Sequence, residues 1–208
     1  MKLQIAFDLI DLDKAVEIAC KVTNSADVIE IGTLLIYKHG AKAIEAFRNH
    51  LPQNTLLADA KIIDRGKEAS SILLNAGADW ITVMAGTNKD VIHSVCTAAH
   101  NLNKKVMLDL LDSASPGQSA LEAKSLGVDA LLFHQTYDEE QPLLFLDRWE
   151  MVRGNTQLPI HVSAKITRDS IQHIFDVKPD GIIIGKAITA ADNPEAEARF
   201  FYELCNNK

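Results

Sequence analysis

Residues 56 to 64 read Leu-Leu-Ala-Asp-Ala-Lys-Ile-Ile-Asp, an apolar, strand-like run that ends in Asp59, Lys61 and Asp64. Two residues apart, Asp59 and Lys61 share one face of a strand. A buried strand has no structural need for such a pair, so it belongs at a strand end that opens into a cleft. The flanking acids favour the ammonium form, so the Lys61 pKa should rise. A Schiff-base amine must be neutral, and a charged lysine is unsuited to that role. It is suited to steadying a developing enolate oxygen.

Other short apolar runs along the chain also end in polar residues: Asp8, Glu30, Asp109, His134, Ser163 to Lys165, and Gly185-Lys186. One polar residue at a strand end is usually a solvated loop start. Four acids, a lysine and a histidine that converge on one cleft are a candidate site. Glu30 and Asp59 offer hard carboxylate oxygens of the kind Mg2+ takes, with water or substrate completing its shell. His134 is the strand-end group that titrates near neutrality and is the candidate proton shuttle; the alternative is a hydrogen-bonded core histidine. Ser163, Lys165, Gly185 and Lys186 form a candidate phosphate site, with Gly185 allowing close backbone approach and the lysines adding charge. The alternative there is a plain turn with solvated lysines.

The elements that must position these groups alternate regularly. Strand-like runs span Leu3–Phe7, Val28–Ile31, Leu56–Ala60, Trp80–Met84, Val106–Leu110, Ala130–Phe133, Ile160–Ser163 and Gly181–Ile184. Helix-like segments begin near Leu12, His39, Asp64, Lys89, Gly117, Leu143, Thr167 and Pro194. Strict βα alternation implies a parallel sheet. No G-x-G-x-x-G follows the first run, which weakens a doubly wound dinucleotide-binding sheet. An internal repeat favours a barrel: Asp27, Asp79, Asp129 and Asp180 precede the second, fourth, sixth and eighth runs at spacings of 52, 50 and 51 residues. Each repeat covers two βα units. These four residues precede their strands, which assigns them to the N-terminal, stability face of a single-domain (β/α)8 TIM barrel spanning residues 1–208. The strand ends carry the chemistry on the opposite face.

Bulk composition agrees with a soluble globular domain: 208 residues, 47% hydrophobic and 24% charged. A net charge of -7 argues against a general binder of nucleic acid or anionic membrane. No run approaches a membrane span, and the N-terminus does not read as a signal peptide. Cys20, Cys96 and Cys205 lie far apart in helix-like segments, as expected of reduced thiols in a cytoplasmic protein.

With these residues in view, Asp59-x-Lys61-x-x-Asp64-x-Gly66 resembles the D-x-K-x-x-D-x-G signature of the orotidine 5′-monophosphate decarboxylase suprafamily. Within it, Leu3–Asp8, Val28–Thr33, Gly77–Val83 and Lys178–Gly185 resemble the 3-hexulose-6-phosphate synthase and 3-keto-L-gulonate-6-phosphate decarboxylase group, over nearly the whole chain. The resemblance implies a Mg2+-dependent barrel homodimer that acts on sugar phosphates through an enediolate. By position, Glu30 and Asp59 would hold the metal and Lys61 would steady the enediolate. Asp64 would reach into the partner's site, and Asp8, Asp109 and His134 would line the mouth, with His134 moving protons. Asp109, where the decarboxylase resembles a Glu, and Tyr137, where it carries an Arg, favour the synthase, which joins formaldehyde to D-ribulose 5-phosphate. The alternatives are the sister decarboxylase and a barrel that binds a sugar phosphate without turnover. The chain departs from the group at Ser163-Ala164-Lys165, which stands where a Gly-Gly phosphate loop is usual. It also departs at Gln135–Pro142 and at Asp112-Ser113.

Overall fold

The computed structural model describes residues 1–136 and 148–206. Its eight strands are β1 (Lys2–Phe7), β2 (Val28–Ile31), β3 (Leu56–Ile62), β4 (Trp80–Met84), β5 (Lys105–Asp109), β6 (Ala130–His134), β7 (Ile160–Ser163) and β8 (Gly181–Ile184). All neighbours pair in parallel, and β8 returns to β1 to close the barrel. The helices described are α1 (Leu12–Val22), α2 (Thr33–His39), α3 (Ala41–His50), α4 (Gly66–Asn75), α5 (Lys89–His100), α6 (Pro116–Ala123), α7 (Trp149–Arg153), α8 (Ile171–Asp176), α9 (Lys186–Thr189) and α10 (Pro194–Asn206). The expected (β/α)8 barrel is the observed fold.

Side-chain caps account for three of the helix starts described. The Asp11 carboxylate accepts from Lys14 N–H at the start of α1, and the Asn88 side chain accepts from Asp90 N–H at the start of α5. Asn193 Oδ1 accepts from Ala196 N–H ahead of α10, with Pro194 in the first turn. Elsewhere the boundaries moved. The helix expected near His39 is two helices, α2 and α3, broken at Gly40, whose φ of 61° ends one and starts the next. The helix expected from Asp64 starts at Gly66, because Arg65 ahead of it is left-handed at φ 51°. The segment expected to turn helical near Leu143, and Tyr137, lie outside the described residues.

The four repeated aspartates have a common role. Their carboxylates accept from the first or second backbone N–H of the preceding odd strands: Asp27 from Leu3, Asp79 from Leu56, Asp129 from Val106 and Asp180 from Ile160, at 2.8, 3.0, 2.8 and 2.8 Å. Each aspartate N–H donates back to the carbonyl of the same partner residue. Four two-stranded units are thus clamped at the N-terminal face by one motif, as the repeat implied.

The core has two compartments. The larger lies between sheet and helices and includes Leu3, Ile5, Phe7, Phe47, Ile81 and Phe201. The smaller plugs the barrel itself: Ala6, Val28, Leu57, Met107, Ala130, Leu132 and Ile183, with Trp80 against them. Strand alternation carries these inward positions toward the C-terminal end. Two residues after Val28, Leu57, Trp80, Met107 and Leu132 come Glu30, Asp59, Thr82, Asp109 and His134. The same inward rows that are apolar below become polar above.

Candidate active site

β3 does not reach the mouth as a regular strand. Its pairing with β4 shifts between Ala58 and Ile62, and Lys61 within the bulge is left-handed at φ 47°. The bulge removes the Lys61 N–H from the ladder, and Thr82 Oγ1 accepts it at 2.9 Å. Thr82 in turn donates to Asp59 Oδ1 at 2.9 Å. Thr33, at the start of α2, lies with its Oγ1 2.6 Å from Asp59 Oδ2. Two hydroxyl contacts, one buried and one half-buried, therefore fix the Asp59 carboxylate and the turn that carries Lys61.

The Lys61 ammonium sits between two carboxylates, 3.1 Å from Asp59 Oδ2 and 2.9 Å from Asp109 Oδ2. Burial works against its charge, but Asp59 and Asp109 outweigh burial and hold its pKa above the usual lysine value. Asp109 is fully buried at the end of β5 and also faces His134, whose Nδ1 is 3.0 Å from Asp109 Oδ2. Burial would raise the Asp109 carboxyl, yet His134 and Lys61 together hold it below its ordinary range. Leu111 N–H adds a further bond to Asp109 Oδ1 at 2.9 Å.

Glu30 lies in β2, buried, with Oε2 accepting from Gln4 Nε2 at 2.6 Å. Burial first, then the neighbouring Asp59 and Asp8 charges, push its carboxyl well above the usual carboxylate range. Asp8 follows β1 and stays open at the rim, while sitting deep enough that burial and Asp59 raise its pKa too. Gly32 makes room for it: a Cβ on Gly32 would lie 2.2 Å from Asp8 Oδ1 and 2.6 Å from Phe7 O. Asp8, Glu30, Asp59, Lys61, Asp109 and His134 thus meet at one mouth, as their strand-end positions required.

Asp64 is different. It is exposed, accepts from Arg65 N–H at 2.7 Å, and among the described residues no hydrogen bond or ion pair joins it to this mouth. Ser163 ends β7, paired beside Ile183 of β8, so Ser163–Lys165 and Gly185–Lys186 leave neighbouring strands. A Cβ on Gly185 would meet Ala6 O at only 3.4 Å, so packing alone does not demand glycine there. Asp112, one of the departures from the group, accepts from Gly86 N–H at 2.8 Å and ties the loops after β4 and β5 together. Cys96 and Cys205 are buried and their thiols are pushed up to about 12 and about 11, the opposite of an activated nucleophile.

Sequence reasoning missed Thr33, Thr82 and Gln4. For Gln4 the signal was present: it is a polar residue at an inward strand position beside Val28 and Ile183 of the neighbouring strands.

The arrangement can hold a cationic lysine and a histidine against Asp109, beside three further acids, Asp59, Glu30 and Asp8, crowded at the same mouth. It is equipped to move a proton next to a carbonyl and to stabilise the oxyanion that results.

Comparison with known proteins agrees with that geometry. The family model for orotidine 5′-phosphate decarboxylase / HUMPS matches residues 1–201. The chain is 32% identical over 203 residues to the 3-hexulose-6-phosphate synthase of Staphylococcus aureus, covering 96% of each chain. The crystal structure of 3-hexulose-6-phosphate synthase from Salmonella typhimurium superimposes with a TM-score of 0.93 at 31% identity, covering 100% of this chain and 99% of that one. The structure of 3-keto-L-gulonate-6-phosphate decarboxylase from Vibrio cholerae gives 0.84 at 27% identity, covering 97% and 96%.

Proposed function

We propose, from the premise that this chain belongs to the orotidine 5′-phosphate decarboxylase / HUMPS family, that it is an aldol lyase joining formaldehyde to D-ribulose 5-phosphate. The reading is supported most by one observation: Asp109 holds both the Lys61 ammonium and His134 Nδ1, at 2.9 and 3.0 Å. With its Nδ1–H given to Asp109, His134 keeps a lone pair on Nε2. That nitrogen takes a proton from C1 of the ketose phosphate. Charge moves to the C2 oxygen as the enediolate forms, and Lys61 stabilises it. C1 then attacks the formaldehyde carbon, and the new alkoxide takes the proton back from His134. The product is a 3-hexulose 6-phosphate.

Glu30 and Asp59 would hold Mg2+, which would supply Lewis-acid charge to the substrate oxygens. The donor chemistry fits: burial and Asp59 raise the proton affinity of Asp8, burial with Asp59 and Asp8 raises that of Glu30, and a divalent cation would relieve the repulsion on these two carboxylates. Among the described residues no group of three or more His, Cys, Asp or Glu forms an all-protein cage. Mg2+ does not need one, since it is usually held by one or two carboxylates plus water and substrate. Ser163, Lys165, Gly185 and Lys186 are assigned to the phosphate. A second copy of the chain would cover exposed Ile10, Leu34, Tyr37 and Ile63 and bring its Asp64 to the neighbouring mouth.

The test is hexulose phosphate formation from formaldehyde and ribulose 5-phosphate, with EDTA abolishing it and Mg2+ restoring it. Lys61→Ala should lose about 3 kcal/mol or more of transition-state stabilisation, read from kcat/KM. Trapping a substrate–lysine adduct with borohydride would overturn the enediolate route. CO2 release from 3-keto-L-gulonate 6-phosphate without aldol activity would replace the synthase by the sister decarboxylase. Ribulose 5-phosphate binding without turnover of either substrate would favour a non-catalytic barrel.

A further inference from the structure

Beneath the acidic mouth, the barrel interior carries a second polar group that the proposed chemistry does not use. His161 in β7 and Gln4 in β1 occupy inward positions among Leu57 and Met107, and both are buried. His161 Nδ1 lies 3.2 Å from Gln4 Oε1, and Gln4 Nε2 lies 2.6 Å from Glu30 Oε2. A polar chain therefore runs up the barrel axis from β7 through β1 to β2. Below it is a cavity of about 480 Å3 at the N-terminal mouth, lined by Lys2, Trp80, Lys105 and His161 among others. The chain has its own steric provision. A Cβ on Gly181 would lie 2.9 Å from three atoms of the His161 ring, so glycine in β8 makes the space in which the imidazole sits.

We infer that His161 and Gln4 are positioning residues that hold Glu30 in a ligand orientation for a divalent cation, His161 acting through the Gln4 amide. The inference rests on the assignment of Glu30 to Mg2+ made above.

The directions of the hydrogen bonds supply the logic. A Gln amide can turn by 180°, exchanging its donor and acceptor ends. Only the NH2 end can donate to the Glu30 carboxylate. A histidine that carries its proton on Nδ1 donates to Oε1 and so keeps the NH2 end on Glu30. The imidazole is suited to this because it stays neutral, burial and the nearby Lys2 holding its pKa down to about 4. Glu30, one of whose oxygens is occupied, then loses the freedom to swing away from the mouth. Partners of this kind, one bond removed from a metal, commonly change metal affinity by about 10–100-fold when lost.

The experiment is titration of the metal-free protein with Mn2+ alone, followed by electron paramagnetic resonance, alongside thermal melting of each variant. Gln4→Leu should weaken Mn2+ binding by about 10–100-fold. His161→Phe, which keeps a ring above Gly181 but removes the Nδ1–H, should weaken it in the same sense. His161→Asn, whose side-chain NH2 falls near the position of Nδ1, should restore most of the affinity. If His161→Phe does not fold, Gln4→Met, which preserves side-chain length, tests the same link. In activity assays the metal requirement should shift upward while kcat at saturating metal largely recovers. Wild-type Mn2+ affinity in both Gln4→Leu and His161→Phe, with only the melting temperature lowered, would overturn the inference and leave the assignment of Glu30 standing. A wild-type protein that binds neither Mn2+ nor Mg2+ would overturn both.

Discussion

Lys61 is held in a left-handed backbone conformation, which costs a residue other than glycine about 1–3 kcal/mol. Thr82 is what makes the conformation sustainable. Its hydroxyl is fully buried, accepts a hydrogen bond from the Lys61 N–H, and donates one to Asp59. Thr82→Val keeps the shape of the side chain and loses both bonds. It strands a backbone N–H in a dry site, so a stability loss of about 1–3 kcal/mol is expected by urea unfolding. A larger fall is expected in kcat/KM, because both the ammonium and the Asp59 carboxylate lose their support. Thr82→Ser should recover most of each. A Thr82→Val enzyme with unaltered kcat/KM would separate the bulge from the chemistry. The Lys61 charge itself was legible from its acidic neighbours. The bulge was not, because alternation places Asp59 and Lys61 on one face without any distortion.

Among the elements, the clearest sequence signal was the aspartate before each even strand. Asp79 shows what the motif contributes. It caps Leu56 N–H at the start of β3 and also meets Arg48 at 2.6 Å and Lys104 at 2.7 Å. Burial raises its carboxyl, but Lys104, the Leu56 N–H and Arg48 together bring it below its ordinary value. Between that depressed pKa and the usual carboxylate range, the unfolded chain binds more protons than the folded one. The stabilisation is therefore complete above the unfolded pKa and is lost as pH falls through the folded one. Asp79→Asn should cost about 1.5–3 kcal/mol at neutral pH and flatten the acid limb of a stability–pH curve, with kcat unchanged. Urea unfolding across the acid range checks both. Helix boundaries were less legible. Gly40 breaks one expected helix into α2 and α3, and left-handed Arg65 delays α4. Hydrophobic periodicity runs through such breaks without marking them.

Closure of the barrel is what turns scattered strand ends into a site. Asp8, Glu30, Asp59, Asp109 and His134 come from five different strands or the turns that follow them, and parallel pairing puts all their ends on one face. Asp64, in the loop after β3, is exposed beside exposed Ile63 and among the described residues has no hydrogen bond or ion pair to those groups. Lys38 Nζ and His39 Nε2 reach Ile10 O, which draws α2 and its exposed Tyr37 toward the loop after β1. The proposed dimer would use this apolar rim. If Asp64 serves the partner's mouth, Lys61→Ala and Asp64→Ala should each be inactive alone. Refolded together, half the dimers would pair one of each and carry one intact site, so on the order of a quarter of wild-type activity should return. Activity that stays at the level of the separate variants would refute the shared site.

The amino-acid sequence by itself determined the alternation of strands and helices, the repeat that clamps the N-terminal face, and the acids, lysine and histidine at the strand ends. These are local properties, carried by the period of each element and by residue type. Only the tertiary structure decided which of those groups touch. His161 and Gln4 meet across 157 positions of chain, and Lys61 and Asp109 across 48. Such contacts depend on how far each strand is staggered against the next when the sheet closes, and on where a bulge interrupts that stagger. Strand periodicity tells which face a side chain points to, but not the height at which it meets its neighbours inside the barrel.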